Sequence, residues 1–298
     1  MHRRGMIRTA PFPDVLSPVF KYPADRLPVA LILAISVLDF AVYLILDNVW
    51  VLAGYWLLLV IPKGVFSAWN HHHQHVHTFK SNALNRLYEI FLAFHSGITT
   101  NLWLLHHNLG HHLHFLDQSQ DESAWQRKDG TTKGVLAYSV NIAATAYYRA
   151  YQVGKKHKKH QRLYLIWTAI TFALVAALVW YRPIAGLFIY VLPMMTSLLF
   201  TAWVTYDHHS GLDTKEPFEA SYNIMNRTFN VLTGNLGYHT AHHHRQAVHW
   251  SKLPELHQQI AEKIPRHLYR KSTFDFFFPG EHAGGPTPDD THSIRVIG

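Results

Sequence analysis

Imidazole is the reactive group that this chain carries in excess. The stretch His106-His107-Asn108-Leu109-Gly110-His111-His112-Leu113-His114 holds five histidines in nine residues. Protonated, such rings repel one another; buried and neutral, each brings a polar nitrogen that needs a partner. A metal ion resolves both problems, because neutral imidazole is the commonest protein ligand for metals. On a helix His107 and His111 share a face, and His112 lies about 100° further round, within reach of a second ion. A polar interface helix that happens to be His-rich is the alternative reading. Three further clusters stand at His71-His72-His73-Gln74-His75-Val76-His77, Asp207-His208-His209 and His239-Thr240-Ala241-His242-His243-His244. His239, His242 and His243, spaced i, i+3, i+4, fall on one helical face. The first cluster offers two registers, His71 with His75 or His73 with His77.

Composition narrows the chemistry. The chain has 298 residues, 25 of them histidine, and no cysteine. Disulfides, thiolate zinc sites, iron–sulfur clusters and thiolate-ligated haem are therefore excluded, and a metal must be held by His, Asp, Glu or Asn. Charged residues make up 15%, and the net charge is +8 with histidine neutral. Mean hydropathy is near zero, an average over long apolar runs and basic, polar connections.

The apolar runs supply the frame. Residues 28–46, 49–69, 163–180 and 183–205 are almost uninterrupted, and each approaches the ~20 residues that span a bilayer. Only Asp47-Asn48 separates the first two and Tyr181-Arg182 the last two, so the spans form two hairpins. Asp39 within the first run is costly in a bilayer unless paired, and a partner on a neighbouring helix is expected. Residues 80–105, with Leu84, Leu87, Ile90, Phe91 and Phe94 near helical spacing, read as an amphipathic interfacial helix; a third span over 90–105 is the alternative. Residues 115–162 read as a polar, basic connection ending in Lys155-Lys156-His157-Lys158-Lys159-His160-Gln161-Arg162.

Two hairpins return the chain to one side each time. All four histidine clusters then face one compartment, and the basic N-terminal arm and central loop mark it as cytoplasmic, with both termini there. The same basic run suits anionic lipid; nucleic acid is not expected beside a membrane segment. The arm is not a signal peptide, since the apolar run after it is too long and lacks a cleavage site. The expected fold is an all-α membrane protein: four transmembrane helices in two hairpins, with a cytosolic helical cap holding a histidine-rich dimetal site. Its divisions are an arm at 1–27, the membrane domain at 28–278 and a flexible tail at 279–298. Eight or more convergent nitrogens exceed the needs of one ion, so two metals are the economical answer. Imidazole suits iron, copper, nickel and zinc alike. Of the two registers, His71 with His75 is preferred because His71 lies nearest the membrane end of its helix.

The boxes, in this order and topology, resemble those of the membrane fatty acid desaturase/hydroxylase superfamily, the integral-membrane histidine-box di-iron enzymes. The resemblance covers roughly residues 28–260. Asn235-Leu236-Gly237-Tyr238-His239-Thr240-Ala241-His242-His243 is similar to the third box of many desaturases. Thr205-Tyr206-Asp207-His208-His209-Ser210-Gly211-Leu212 is similar to the Asn-Tyr-x-Glu-His-Tyr-Gly-Leu motif of the alkane hydroxylases, with His208 in place of a glutamate and Thr205 in place of an asparagine. The resemblance implies metal ligands at His71, His75, His107, His111, His112, His209, His239, His242 and His243. It implies two iron ions (Fe2+) that use O2 to attack an unactivated C–H bond of an acyl chain, with no further catalytic residue. The histidines left over (His72, His73, His77, His106, His114, His208, His244 and His249) are read as supporting or surface residues. Asp207 foremost, then Asp121 and Glu122, with Asp117, are candidates to accept the outer N–H of a ligating ring. Trp56, Trp69, Trp103, Trp125 and Trp203 are candidate walls of an acyl tunnel.

Desaturation of a fatty acyl chain is the first expectation; hydroxylation of an alkane, fatty acid or lipid, and oxidative decarboxylation to a terminal alkene, are the alternatives. The substrate is an acyl-lipid, acyl-CoA, acyl-carrier or free fatty acid. The chain has no cysteines for an iron–sulfur centre and no dinucleotide fingerprint, which implies a separate electron donor of ferredoxin, rubredoxin or cytochrome b5 type and its reductase. A His-rich metal transporter is the reading from another class; its signature would be polar ligands inside the spans, which are nearly free of them.

Overall fold

The structure, a computed structural model, describes residues 19–271. Most of the expected N-terminal arm and all of the expected tail lie outside the described residues. Four helices are long and apolar enough to cross a membrane: α1 (Arg26–Ile45), α2 (Val49–His75), α5 (Lys158–Tyr181) and α6 (Pro183–His209). The apolar runs at 49–69 and 183–205 understate two of these. Both helices continue through the polar residues that follow, which carries His71, His75 and His209 on rigid helical ends rather than on loops.

The short connections are chemically defined. The Asn48 side chain caps α2, accepting from Trp50 and Val51 amides, which satisfies donors the first turn would leave bare. Arg182, at the α5–α6 junction, donates to Tyr43 O, to Leu46 O (3.0 Å) and to Asp47. One guanidinium thus holds both turns together.

Asp39 has the partner that burial demands. Its carboxylate lies 2.8 Å from Lys63 Nζ on α2, and Tyr55 Oη donates to it at 2.8 Å. His95 lies near the same oxygen as Lys63, Asp39 Oδ2, with Nδ1 3.5 Å away.

Residues 80–105 are not one helix. Ser81 caps α3 (Asn82–Ser96), which ends at Gly97 in the left-handed conformation, φ 69°. A Cβ at Gly97 would stand 2.3 Å from Met194 O on α6, so only glycine allows this close turn. α3 packs on α1, α2 and α6, with Leu92 and Ala93 buried and Leu84 and Leu87 exposed; it is amphipathic, but its second half lies among the spanning helices. The chain then returns through a π-helical turn at Leu104–Leu109.

The stretch 115–162 is not merely a polar connection. It contains α4 (Val135–Gly154), a 20-residue helix laid along α6. Tyr138, Ile142, Ala146 and Ala150 form its buried stripe. Its other faces carry Asn141, Thr145, Arg149 and Gln152, which hid the helix within a polar average.

The C-terminal part is compact. It holds α7 (Arg227–Thr233), α8 (His239–His244) and α9 (Leu253–Ile260), with a two-stranded parallel ladder of β1 (Asn223–Ile224) and β2 (Tyr269–Arg270). Tyr238, Ala241, Leu253, Leu256, Ile260 and Leu268 form a core under α8.

Candidate metal centre

All nine histidines singled out by the boxes converge. His71, His75, His107, His112 and His242 form one group of ring nitrogens mutually within 4.8 Å, and His111, His209 and His243 form a second. His239 joins the second: its Nε2 lies 3.0 Å from His209 Nε2. Within the first, the Nε2–Nε2 distances are 3.0 Å for His71–His242, His112–His107 and His112–His242. Consecutive residues divide between the groups: His111 from His112, and His242 from His243.

The pairing in the second box differs from the helical expectation. The π-helical turn carries a bond from His112 N to His107 O of 2.8 Å, spanning five residues instead of four. Widening the turn sets His107 beside His112 and turns His111 away to the other group. π-turns of this kind are frequent at functional sites. Gln74, on α2 between the two ligand positions, fixes the turn: its Oε1 accepts from Trp103 N and Leu104 N, both at 3.0 Å. Its Nε2 donates to Asn70 Oδ1 at 2.8 Å. Sequence reading passed over Gln74; a glutamine embedded in a histidine run was its only signal.

The third box is held from below. Asn223 on β1 grips Thr240, accepting from its amide (3.1 Å) and donating to its hydroxyl (2.8 Å). Gly237 N donates to Asn230 Oδ1 at 3.0 Å, and a Cβ on Gly237 would meet Ile224 O at 2.1 Å. α8 therefore enters the site at one angle.

The outer nitrogens show how the rings are set. His111 Nδ1 donates to Asp121 Oδ1 at 2.8 Å, and His209 Nδ1 to Ala220 O at 2.9 Å. Of the other expected acceptors, Asp207 receives Arg270 at 2.9 Å and Glu122 receives Arg149 at 3.2 Å. Arg270 also donates to Asp207 O and lies over the Tyr222 ring, so Asp207 ties the end of α6 to β2. Glu122 ties the second-box loop to α4. Asp117 is a half-buried turn residue whose carboxylate accepts from Ser119 and Gln120.

Burial, reinforced by neighbouring rings, holds His107, His112, His239, His242 and His243 well below the ordinary imidazole pKa. They are neutral at physiological pH, the form that binds metal. Several ring nitrogens are buried with no hydrogen-bond partner among the described residues, His75 Nε2 and His243 Nε2 included. Buried polar atoms are normally satisfied, so this donor set fits cations bound among the rings, and the absence of thiolates fits iron or another imidazole-loving metal.

A narrow cavity of about 40 Å³ runs between α2 and α6 to the rings. Gly64, Ala68, Phe200 and Phe229 line it, with His71, His107 and His239 at its head. Its hydroxyls are spent on their own helices: Ser67 donates to Gly64 O, Thr201 to Ser197 O and Thr205 to Thr201 O. Of the five tryptophans considered, Trp103 lines it. So does His208, read from sequence as supporting or surface. It is wholly buried, its Nδ1 donates to Val204 O at 2.8 Å, and its Nε2 has no hydrogen-bond partner among the described residues. The rest of its wall is apolar.

Two clusters of buried imidazoles at the ends of long apolar helices define a membrane histidine-cluster protein. The family model for the fatty acid desaturases matches residues 48–274, more than half of the chain. The chain belongs to that family, within the membrane fatty acid desaturase/hydroxylase superfamily. No curated protein and no solved structure matches it.

Proposed function

We propose that this is an O2-dependent oxidase of fatty acyl chains with two iron ions at its centre, and that its reaction is desaturation. The observation that carries the reading is the apolar cavity ending on both groups of rings at once. His71, His75, His107, His112 and His242 would hold one ion; His111, His209, His239 and His243 the other. The bound metals supply the oxidising chemistry that side chains lack, namely activation of O2 and attack on an inert C–H bond. The protein's own residues do the rest. The slot between α2 and α6, about 40 Å³ as it stands, must widen to admit an acyl chain against the rings. Asp121 and Ala220 O hold their imidazoles with Nε2 turned inward, as ligating rings require. Gln74 and Asn223 keep the second and third boxes in place.

The chain carries four spans in two hairpins, and the rings and both termini face the cytoplasm, on the side marked by Lys155–Arg162. Electrons come from a separate donor, of ferredoxin, rubredoxin or cytochrome b5 type. Hydroxylation is the second reading, favoured by the Tyr206–Leu212 segment, whose His209 stands in the second group of rings.

The test is metal analysis of detergent-purified protein together with lipid analysis of cells that express it. About two irons per chain and a new unsaturated acyl chain support desaturation. Iron with a hydroxylated or terminal-alkene product moves the reaction to one of the alternatives. Zinc alone, with no lipid change when a donor is supplied, overturns the oxidase reading.

A further inference from the structure

The first box contains two overlapping His-x-x-x-His pairs, and the dimetal centre uses only one. His73 and His77, the other pair, lie apart from it, against Glu89 of α3. His73 Nε2 is 3.3 Å and His77 Nε2 3.9 Å from the same carboxylate oxygen, Glu89 Oε1. The three donor atoms lie within 4.8 Å of one another.

The surroundings leave that oxygen to the two rings, with His73 Nε2 within hydrogen-bonding distance of it. The opposite oxygen, Oε2, takes both strong donors nearby, Arg86 Nη1 at 2.6 Å and Thr100 Oγ1 at 2.6 Å. Glu89 is thereby oriented with Oε1 toward the two rings. His73 is steadied from behind by Thr78, whose Oγ1 lies 2.9 Å from Nδ1. His73 and Glu89 are almost fully buried, while the His77 side chain is 30% exposed, so the trio opens to solvent on one side.

From these contacts we infer that His73, His77 and Glu89 form a third, separate site for a divalent transition metal such as zinc, held by two imidazoles and one carboxylate. The spacing is right for it. Zinc bonds of about 2.0–2.1 Å in a tetrahedron put ligand atoms about 3.3–3.4 Å apart. The His73–Glu89 pair already has that separation, and His77 must close by about half an ångström, which its exposure permits. A water completes the coordination on the open side. Arg86 neutralises part of the carboxylate's charge, so this site is weaker than the dimetal centre. Its effect is mechanical: the ion clamps the last turn of α2, which carries His75, to α3.

The experiment is metal counting on the full-length protein in detergent, equilibrated with a small excess of ZnCl2 and then desalted, for wild type and two variants. His77→Ala removes the exposed ligand and leaves Arg86, Thr100 and His73 on Glu89. Glu89→Gln removes the carboxylate but risks the fold. Wild type is expected to bind one ion per chain more than either variant, whatever the dimetal centre holds. Added ZnCl2 should raise the thermal midpoint of wild type by more than that of His77→Ala. Equal metal content in wild type and His77→Ala, or an equal thermal shift, overturns the site. Because the quantity read is a difference of one ion, it is independent of whether the enzyme proves to be a desaturase.

Discussion

His111 and His209 face each other through Nε2 atoms 3.2 Å apart, and in the neutral form that binds metal each presents a lone pair there. Each has committed its Nδ1–H to an oxygen, Asp121 Oδ1 for one and Ala220 O for the other. Two lone pairs at that distance repel unless a cation lies between them. The hydrogen bonds on the outside of the rings thus determine what the inside can bind.

Removing single rings should separate the two groups. His111→Ala is expected to lower bound metal by about one ion per chain, while His242→Ala takes the ion of the other group. Asp121→Asn, which keeps shape but weakens the hold on His111, should lower metal affinity by about 10- to 100-fold. Elemental analysis and chelator competition read these effects. Asp121→Asn indistinguishable from wild type would remove Asp121 from the scheme.

The Asp39–Lys63 pair invites a double substitution. Breaking a buried pair strands one charge, at a cost of about 3–5 kcal/mol. Lys63→Met alone should therefore lower the thermal midpoint in detergent sharply. Asp39→Leu combined with Lys63→Met should recover much of the loss, because no charge is left uncompensated. A double variant worse than both singles contradicts this.

Low pH should loosen the metal-free protein. Burial pushes His257 down to about 4, from an ordinary value of 6.5. Burial, with Arg149 and His111 nearby, pushes His106 down to about 3. Unfolded, these rings take up protons as pH falls through 6.5; folded, they resist until much lower. Their contribution is complete above that value and is lost as pH drops toward 4, on the order of 1.4 kcal/mol per ring for each pH unit. Thermal midpoints measured between pH 8 and pH 4.5 should be flat at first and then fall. His257→Phe should reduce the slope of that fall.

The cavity should be sensitive to one methyl group. A Cβ at Gly64 would stand 3.0 Å from the Phe200 ring, narrowing the slot between α2 and α6. Gly64→Ala is expected to keep its metal and to lose about tenfold or more of its activity on long chains. His208→Phe should likewise retain metal while changing the product profile, since His208 lines the cavity and packs on the His239 ring, centroids 4.0 Å apart, without a hydrogen bond to it. Loss of iron in either variant would instead mean that the residue supports the metal centre.

Much of this was legible because charge is expensive in a bilayer. The four apolar runs could be little else than long helices, and Asp39 had to find a partner. His71 and His75 could be paired because α2 is regular to its end. The second box misled where the helix is not regular: four-residue spacing joined His107 to His111, but a π-turn stabilised by Gln74, 30 residues before Leu104, joins His107 to His112. Glu89 could not be connected to His73 from spacing, since only the fold of α3 back against α2 brings them together. α4 was hidden because its polar faces outweigh a thin stripe of Tyr138, Ile142, Ala146 and Ala150.

The distance along the chain between partners has a bearing on biosynthesis. His71 and His242, with Nε2 atoms 3.0 Å apart, are separated by 171 residues. A chain emerging from the ribosome makes its first ligands early and cannot complete either group until α8 has been synthesised and seated on Asn223. Metal loading, on the proposed scheme, is therefore a final event, open only to a molecule whose helices are already in place. Truncated or misinserted chains would present scattered imidazoles with no shared cavity, and so would be left without the metal that distinguishes a finished enzyme from a failed one.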